Sequence, residues 1–141
     1  MILLDTNVVS EGLRPHPDPN VRKWLDAQQP ADLFLCMPVV AELHYGAELL
    51  PAGARRVHLE LAIRRIEETF AERTLPFDRA AAHEFGKIVA YRDRLGRAMG
   101  TMDALIAAIA KVHGAAIATR DSRGFDEIGI DVVDPFDPSA T

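Results

Sequence analysis

A chain of 141 residues with 48% hydrophobic and 26% charged residues has the length of one domain, 1–141, and is large enough to bury about two thirds of the surface its unfolded form exposes. No apolar run approaches the roughly 20 residues of a membrane helix, and Ile2-Leu-Leu4 meets Asp5 at once, which is no secretory signal, so a cytoplasmic protein is expected. A net charge of −5 and a pI near 5.5 exclude a generic basic-patch binder of polyanions.

Ile2 to Leu4 is a short apolar run of the kind buried in a parallel sheet, with Asp5 at its carboxyl end. Pro15, Pro17 and Pro19 stiffen the next loop, and Asp18 is placed to cap a helix over residues 19–28 with Pro19 at its first position. That helix is expected to bury Val21, Trp24 and Leu25. Leu33 to Cys36 is the second strand, and its lone cysteine is expected to be a buried thiol in a reducing compartment. Pro38 opens a helix containing Glu42.

After the break at Pro51-Ala-Gly53, Leu59, Ala62, Ile63, Ile66 and Phe70 form one stripe of a helix over 54–73. Leu75-Pro-Phe77 is a candidate third strand. Asp78 can cap a helix to about Leu95, with Ala81, Phe85, Ile88 and Val89 inward. A Gly- and Arg-rich connection leads to Thr101, a candidate cap for a strongly apolar helix ended by Gly114. Ala115 to Thr119 is a buried strand, Asp121 to Gly129 a loop, and Ile130 to Val133 a last short strand.

Short apolar strands alternating with helices predict an α/β fold, a mostly parallel central sheet covered by helices on both faces. Right-handed crossovers put helix N-termini on the same edge as strand carboxyl ends. Asp5, Glu42, Asp103 and Asp121 all fall at such points, so one edge is expected to gather four carboxylates. Singly, each has an ordinary role: Asp103 and Glu42 can complement a helix dipole, and Asp5 and Asp121 can bond turn N–H groups. Jointly, like charges about 4 Å apart repel by roughly 4 kcal/mol at an effective dielectric of 20. Such a cluster needs protons, arginine partners or metal, and its oxygen-only donors suit Mg²⁺ or Mn²⁺. If the four acids hold metal, setting them aside leaves a net charge of only −1 from −5.

Competing chemistries find little support. His16, His44, His58, His83 and His113 are scattered, there is no zinc-binding His-Glu-x-x-His pair, and neither a phosphate-cradling Gly-x-x-x-x-Gly-Lys loop nor a Gly-x-Ser-x-Gly elbow occurs.

Leu3-Leu-Asp5-Thr-Asn7, Val40-Ala-Glu42-Leu-His-Tyr-Gly46, Asp103-Ala-Leu-Ile-Ala-Ala, and Thr119-Arg-Asp121 with Phe125 and Val132-Val-Asp-Pro135 follow one another in the order of a known family. Over nearly its full length the chain resembles the PIN-domain ribonucleases, and within them the VapC and FitB type of bacterial toxin. The resemblance implies a Mg²⁺- or Mn²⁺-dependent endoribonuclease that cleaves RNA, is held inactive by a cognate antitoxin and assembles as a homodimer. It implies catalytic and metal-holding roles for Asp5, Glu42, Asp103 and Asp121, with the first three on one ion and Asp121 completing that site or helping to hold a second. Thr6, Asn7 and Thr119 are similar to polar positions that support the site; turn and strand-end hydrogen bonding is the plainer alternative.

Arg120 and Arg123 flank Asp121, and Arg92, Arg94 and Arg97 precede the Asp103 helix, so local positive charge could guide RNA phosphate despite the acidic average. Solvated surface charge explains the same residues. Helices 54–73 and 78–95 are candidates for dimer or antitoxin packing. Two rival functions stay open at this point: a non-catalytic PIN scaffold that binds RNA or protein, and a Mg²⁺-dependent phosphatase with Asp5 as nucleophile, for which Asn7 stands where a second Asp is usual.

Overall fold

The computed structural model describes residues Met1–Thr141. Five strands, β1 (Ile2–Leu4), β2 (Leu33–Cys36), β3 (Thr74–Leu75), β4 (Ala116–Ala118) and β5 (Val132–Val133), form one sheet in the order β3-β2-β1-β4-β5. Every pairing is parallel, with Leu3 opposite both Phe34 and Ile117. Consecutive side chains of a strand point to opposite faces, and the consecutive pairs Leu3 and Leu4, Leu35 and Cys36, and Ile117 and Ala118 are all buried. Both faces of the sheet are therefore covered, by six helices. These are α1 (Thr6–Gly12), α2 (Pro19–Ala27), α3 (Met37–Glu48), α4 (Ala54–Thr69), α5 (Arg79–Arg94) and α6 (Thr101–His113).

Strand order fixes where a site can form. From β1 the chain steps outward to β2 and β3, then returns to the other side of β1 for β4 and β5. The connections diverge at β1 and β4, so a crevice opens beyond their carboxyl ends, the usual ligand position in an open α/β sheet.

Asp18 accepts from the Asn20 N–H and Asp78 from the Ala81 N–H, as expected of caps, and Gly114 ends α6 at φ 61°. The α6 cap itself is Gly100, one residue earlier than expected, and Thr101 is the first helical residue. The stripe over 54–73 is interrupted: α4 ends at Thr69, and a 3-10 turn, Ala71–Arg73, leads into β3, which pairs through Thr74 and Leu75. Pro76 has no N–H to extend that ladder, so Phe77 lies outside the strand, edge-on to Phe85 at 6.1 Å. Leu25, Phe85 and Val89 are half-buried rather than core.

Helix α1 has no clear sequence signal, because its β-branched residues Thr6, Val8 and Val9 are poor helix formers. Asp5 starts it, accepting from the Thr6 N–H at 2.7 Å in an extended backbone conformation. Cys36 is fully buried, and burial pushes its thiol up to about 12, the inert structural thiol expected. No helix is long and apolar enough to cross a membrane.

Candidate metal centre

Asp5 stands at the end of β1, only 5% exposed, and both oxygens of its carboxylate accept hydrogen bonds. Oδ1 takes the Thr6 N–H; Oδ2 takes the Thr119 hydroxyl at 2.6 Å and the Asn7 amide at 3.0 Å. Thr119, just past β4, is fully buried. Its hydroxyl donates to Asp5 and accepts from Asn7 Nδ2 at 3.0 Å and from the Asp121 N–H at 3.1 Å. One donor and two lone pairs are all a hydroxyl has, so Thr119 Oγ1 is fully used. Asn7 also accepts from the Arg120 N–H at 3.0 Å, tying the first turn of α1 to the segment leaving β4. A buried carboxylate is held here by three polar groups from two strand ends, and Thr6 Oγ1 lies buried beside it with no partner.

The other acids are differently placed. Asp121 starts a 3-10 turn, Ser122–Phe125, and its Oδ1 accepts from the Gly124 N–H at 3.2 Å. Asp103 lies in the first turn of α6, and Gly124 faces both carboxylates: a Cβ there would lie 3.1 Å from Asp121 Oδ2 and 3.5 Å from Asp103 Oδ2. Glu42 is half-buried on α3. Neither Glu42 nor Asp103 accepts a hydrogen bond, in contrast to Asp5 and Asp121.

A helix N-terminus favours ionised aspartate, yet the proton affinity of Asp103 is raised. Burial is the largest cause, followed by the charges of Asp5, Asp121 and Glu42, with Arg92 opposing them. The dipole role is thus outweighed: Asp103 sits where three other acids reach it. Asp103 feels the charges of Asp5, Asp121 and Glu42, but Glu42 lies in the second turn of α3 rather than at its start, and no three His, Cys, Asp or Glu side chains close into a ready coordination shell.

The arginines divide. Arg120 is exposed and stacks its guanidinium on the Phe136 ring at 3.6 Å, and Arg123 is exposed on the 3-10 turn. Arg92 is 5% exposed and donates to the carbonyls of Arg97, Gly124 and Asp126, while Arg97 pairs with Asp126 and Glu127. Arg92 is therefore buried and committed to holding loops, unlike the surface charge weighed for it, whereas Arg94 and Arg97 remain exposed.

The family profile described as PIN domain matches residues 2–131, nearly the whole chain. The chain belongs to the PIN-domain family. It is similar to VapC ribonuclease Y4jK of Sinorhizobium fredii, 39% identical over 140 residues that cover 99% of this chain and 100% of that protein. It is also similar to toxin FitB of Neisseria gonorrhoeae, 40% identical over 140 residues covering 96% and 99%. The solved structure of FitAB bound to the DNA fragment IR36 superposes with a TM-score of 0.91 at 39% identity, covering 96% of each chain.

Within this PIN domain the side chains fit a hard divalent cation by donor chemistry. All four acids offer oxygen, Asp103 and Glu42 retain unused lone pairs, and Gly124 leaves free the space that a side chain would fill beside Asp103 and Asp121. Two features carry no sequence signal of their own: Gly124 and the burial of Arg92 both depend on contacts between distant segments. A groove of about 780 Å³ between α1, α3 and α4 is lined by Leu13, Arg14, Leu43, Leu59 and Ile63, and also by Glu42, which joins it to the acid edge.

Proposed function

We propose that this PIN domain, acting as one unit over residues 1–141, is a divalent-metal-dependent endoribonuclease toxin of the cytoplasm, hydrolysing RNA phosphodiester bonds and neutralised by a cognate antitoxin. The observation that carries the reading is the position of Asp103, unbonded, half-buried and within reach of Asp5, Asp121 and Glu42. Asp5, Glu42 and Asp103 would hold Mg²⁺ or Mn²⁺, and Asp121 would complete that site or help to hold a second ion. A divalent ion held there would supply Lewis-acid polarisation of the scissile phosphate and a water of lowered pKa, chemistry that needs no catalytic histidine.

The chain's own residues do the positioning. Thr6, Asn7 and Thr119 orient Asp5, and the Asn7 bond to the Arg120 N–H sets the main chain from which Arg120 and Arg123 reach RNA phosphate. Stacking on Phe136 limits the freedom of Arg120. The phosphatase alternative lacks its usual second Asp: Asn7 stands at that position, donating its amide to Asp5 and accepting from the Arg120 N–H.

The relatives support the biological setting, since one is called a ribonuclease, one a toxin, and the third was solved as FitAB on DNA. By analogy the antitoxin is a protein that covers the acid edge, and the apolar groove reaching Glu42 offers it a seat. A homodimer is proposed on the same resemblance. The test is to map new RNA 5′ ends after inducing the chain without its partner, beside Asp103→Asn. Discrete ends seen only with the unaltered protein are expected; identical maps from two folded, abundant proteins would overturn the nuclease reading in favour of a scaffold.

A further inference from the structure

Arg92, near the end of α5, is the one buried cation of the protein. It pairs with no carboxylate. Its Nε donates to the Arg97 carbonyl at 2.7 Å, and its Nη1 donates to the carbonyls of Gly124 at 3.0 Å and Asp126 at 3.1 Å. The two segments so joined carry the acid site on either side: the connection after Arg97 leads into α6 and Asp103, and Gly124 belongs to the turn started by Asp121. Arg97 adds a second tie by pairing with Asp126 and Glu127.

Burying a guanidinium is costly unless its donors are satisfied, and here they are met by three backbone carbonyls. A flat fork of fixed donors can hold carbonyls from two segments at once, which lysine's single ammonium does less well. The Gly124 carbonyl is gripped by Arg92 while the Cα of the same residue faces Asp103 and Asp121.

We propose that Arg92 is a positioning residue that sets the separation of Asp103 and Asp121 by clamping the loop before α6 to the turn after β4, and so fixes the affinity of the site for a divalent cation. The inference rests on the metal-site reading above. Its signature is a sign. A buried cation close enough to act on Asp103 repels a metal ion, so if Arg92 mattered only through its charge, removing that charge would tighten ion binding. Loss of a clamp loosens it.

The experiment is a titration of the full chain with Mn²⁺ alone, free Mn²⁺ being read by electron paramagnetic resonance. It compares wild type, Arg92→Met, Arg92→Lys and Asp103→Asn at neutral pH, each checked for folding by circular dichroism. Wild type is expected to bind and Asp103→Asn to lose that binding. Arg92→Met is expected to bind about 10-fold more weakly or worse, in the range found when groups supporting metal ligands are removed, and Arg92→Lys to fall between. Binding by Arg92→Met as tight as wild type, or tighter, overturns the clamp while leaving the metal site standing. Absence of Asp103-dependent binding in wild type overturns the metal reading itself, and the clamp with it. Should the Arg92 variants fail to fold, wild type carries the test. Solvent exchange of the Arg92 Nε–H, followed by ¹⁵N NMR, is expected to slow several-fold on adding Mg²⁺, because ion and clamp stabilise each other reciprocally. An unchanged rate overturns the proposal.

Discussion

The two sides of the acid edge solve the same electrostatic problem in opposite ways. At the end of β1, Asp5 is buried and its charge is spread over bonds from Thr6, Asn7 and Thr119. Across the crevice, Asp103 is half-buried, has no hydrogen bond, and holds its proton more tightly than an ordinary aspartate. A carboxylate bonded on both oxygens is fixed in orientation, and Oδ1, which accepts a single bond, keeps a lone pair for a cation. One left unbonded among other acids is destabilising, and that unfavourable energy is released when a cation arrives. On the proposed metal-site reading, the contrast separates a preset half of the site from a half that awaits its ligand.

Asp103→Asn breaks the contrast most severely. RNA cleavage should fall by more than about 100-fold, beyond the roughly 10–100-fold loss typical of a supporting residue, as read by cleavage of the RNA identified from its new 5′ ends. Stability without metal should move the other way. Because the folded pKa of Asp103 is raised, its contribution to stability is fully present below the ordinary value of 3.8 and is lost as pH rises through the folded value. The asparagine variant escapes that loss, so without metal at pH 7 its Tm should exceed that of wild type, with a flatter pH dependence above pH 3.8. A lower Tm for the variant would show that Asp103 is a structural acid after all.

Thr119→Val probes the preset half. It leaves Asp5, Asn7 and the Asp121 N–H each short of a partner, and a cost of about 1–3 kcal/mol is expected from thermal or denaturant unfolding. Mn²⁺ affinity should drop about 10–100-fold as Asp5 loses its orientation. Unchanged stability would mean that the buried knot is loosely held. Gly124→Ala acts on the waiting half alone: the added methyl crowds Asp121 and Asp103, so calorimetric Mg²⁺ affinity should weaken a few-fold at nearly unchanged Tm. Phe136→Ala has the smallest expected effect. The ring is half-buried against the core, and removing its stack under Arg120, worth about 0.5–1 kcal/mol, should raise the KM for RNA about two- to fivefold with kcat intact.

Much of this was readable in the residues. Short apolar runs located β1, β2 and β4, aspartates at positions 18 and 78 and Gly114 marked helix ends, and Asp5 and Asp121 stand just past strands and Asp103 in the first turn of α6, whereas Glu42 lies a turn inside α3. The failures share a cause. Helix α1 follows from the side chain of Asp5 capping Thr6 and from burial of Val8 and Val9 against the sheet, tertiary effects that override weak propensity. Arg92 looks like any surface arginine until its three carbonyl partners, one of them 34 residues away, are seen. Gly124 looks like an ordinary turn residue until Asp103 is beside it.

Anomalous diffraction from crystals of the full chain soaked in Mn²⁺ tests the central claim most directly, since it locates the ion without reference to RNA or turnover. A peak bounded by Asp5, Glu42 and Asp103, with the Asp103 side chain turned onto it and Asp5 scarcely moved, is the result expected of one preset and one waiting half. A peak elsewhere, or a protein that takes up Mn²⁺ while these carboxylates stay apart, would contradict it.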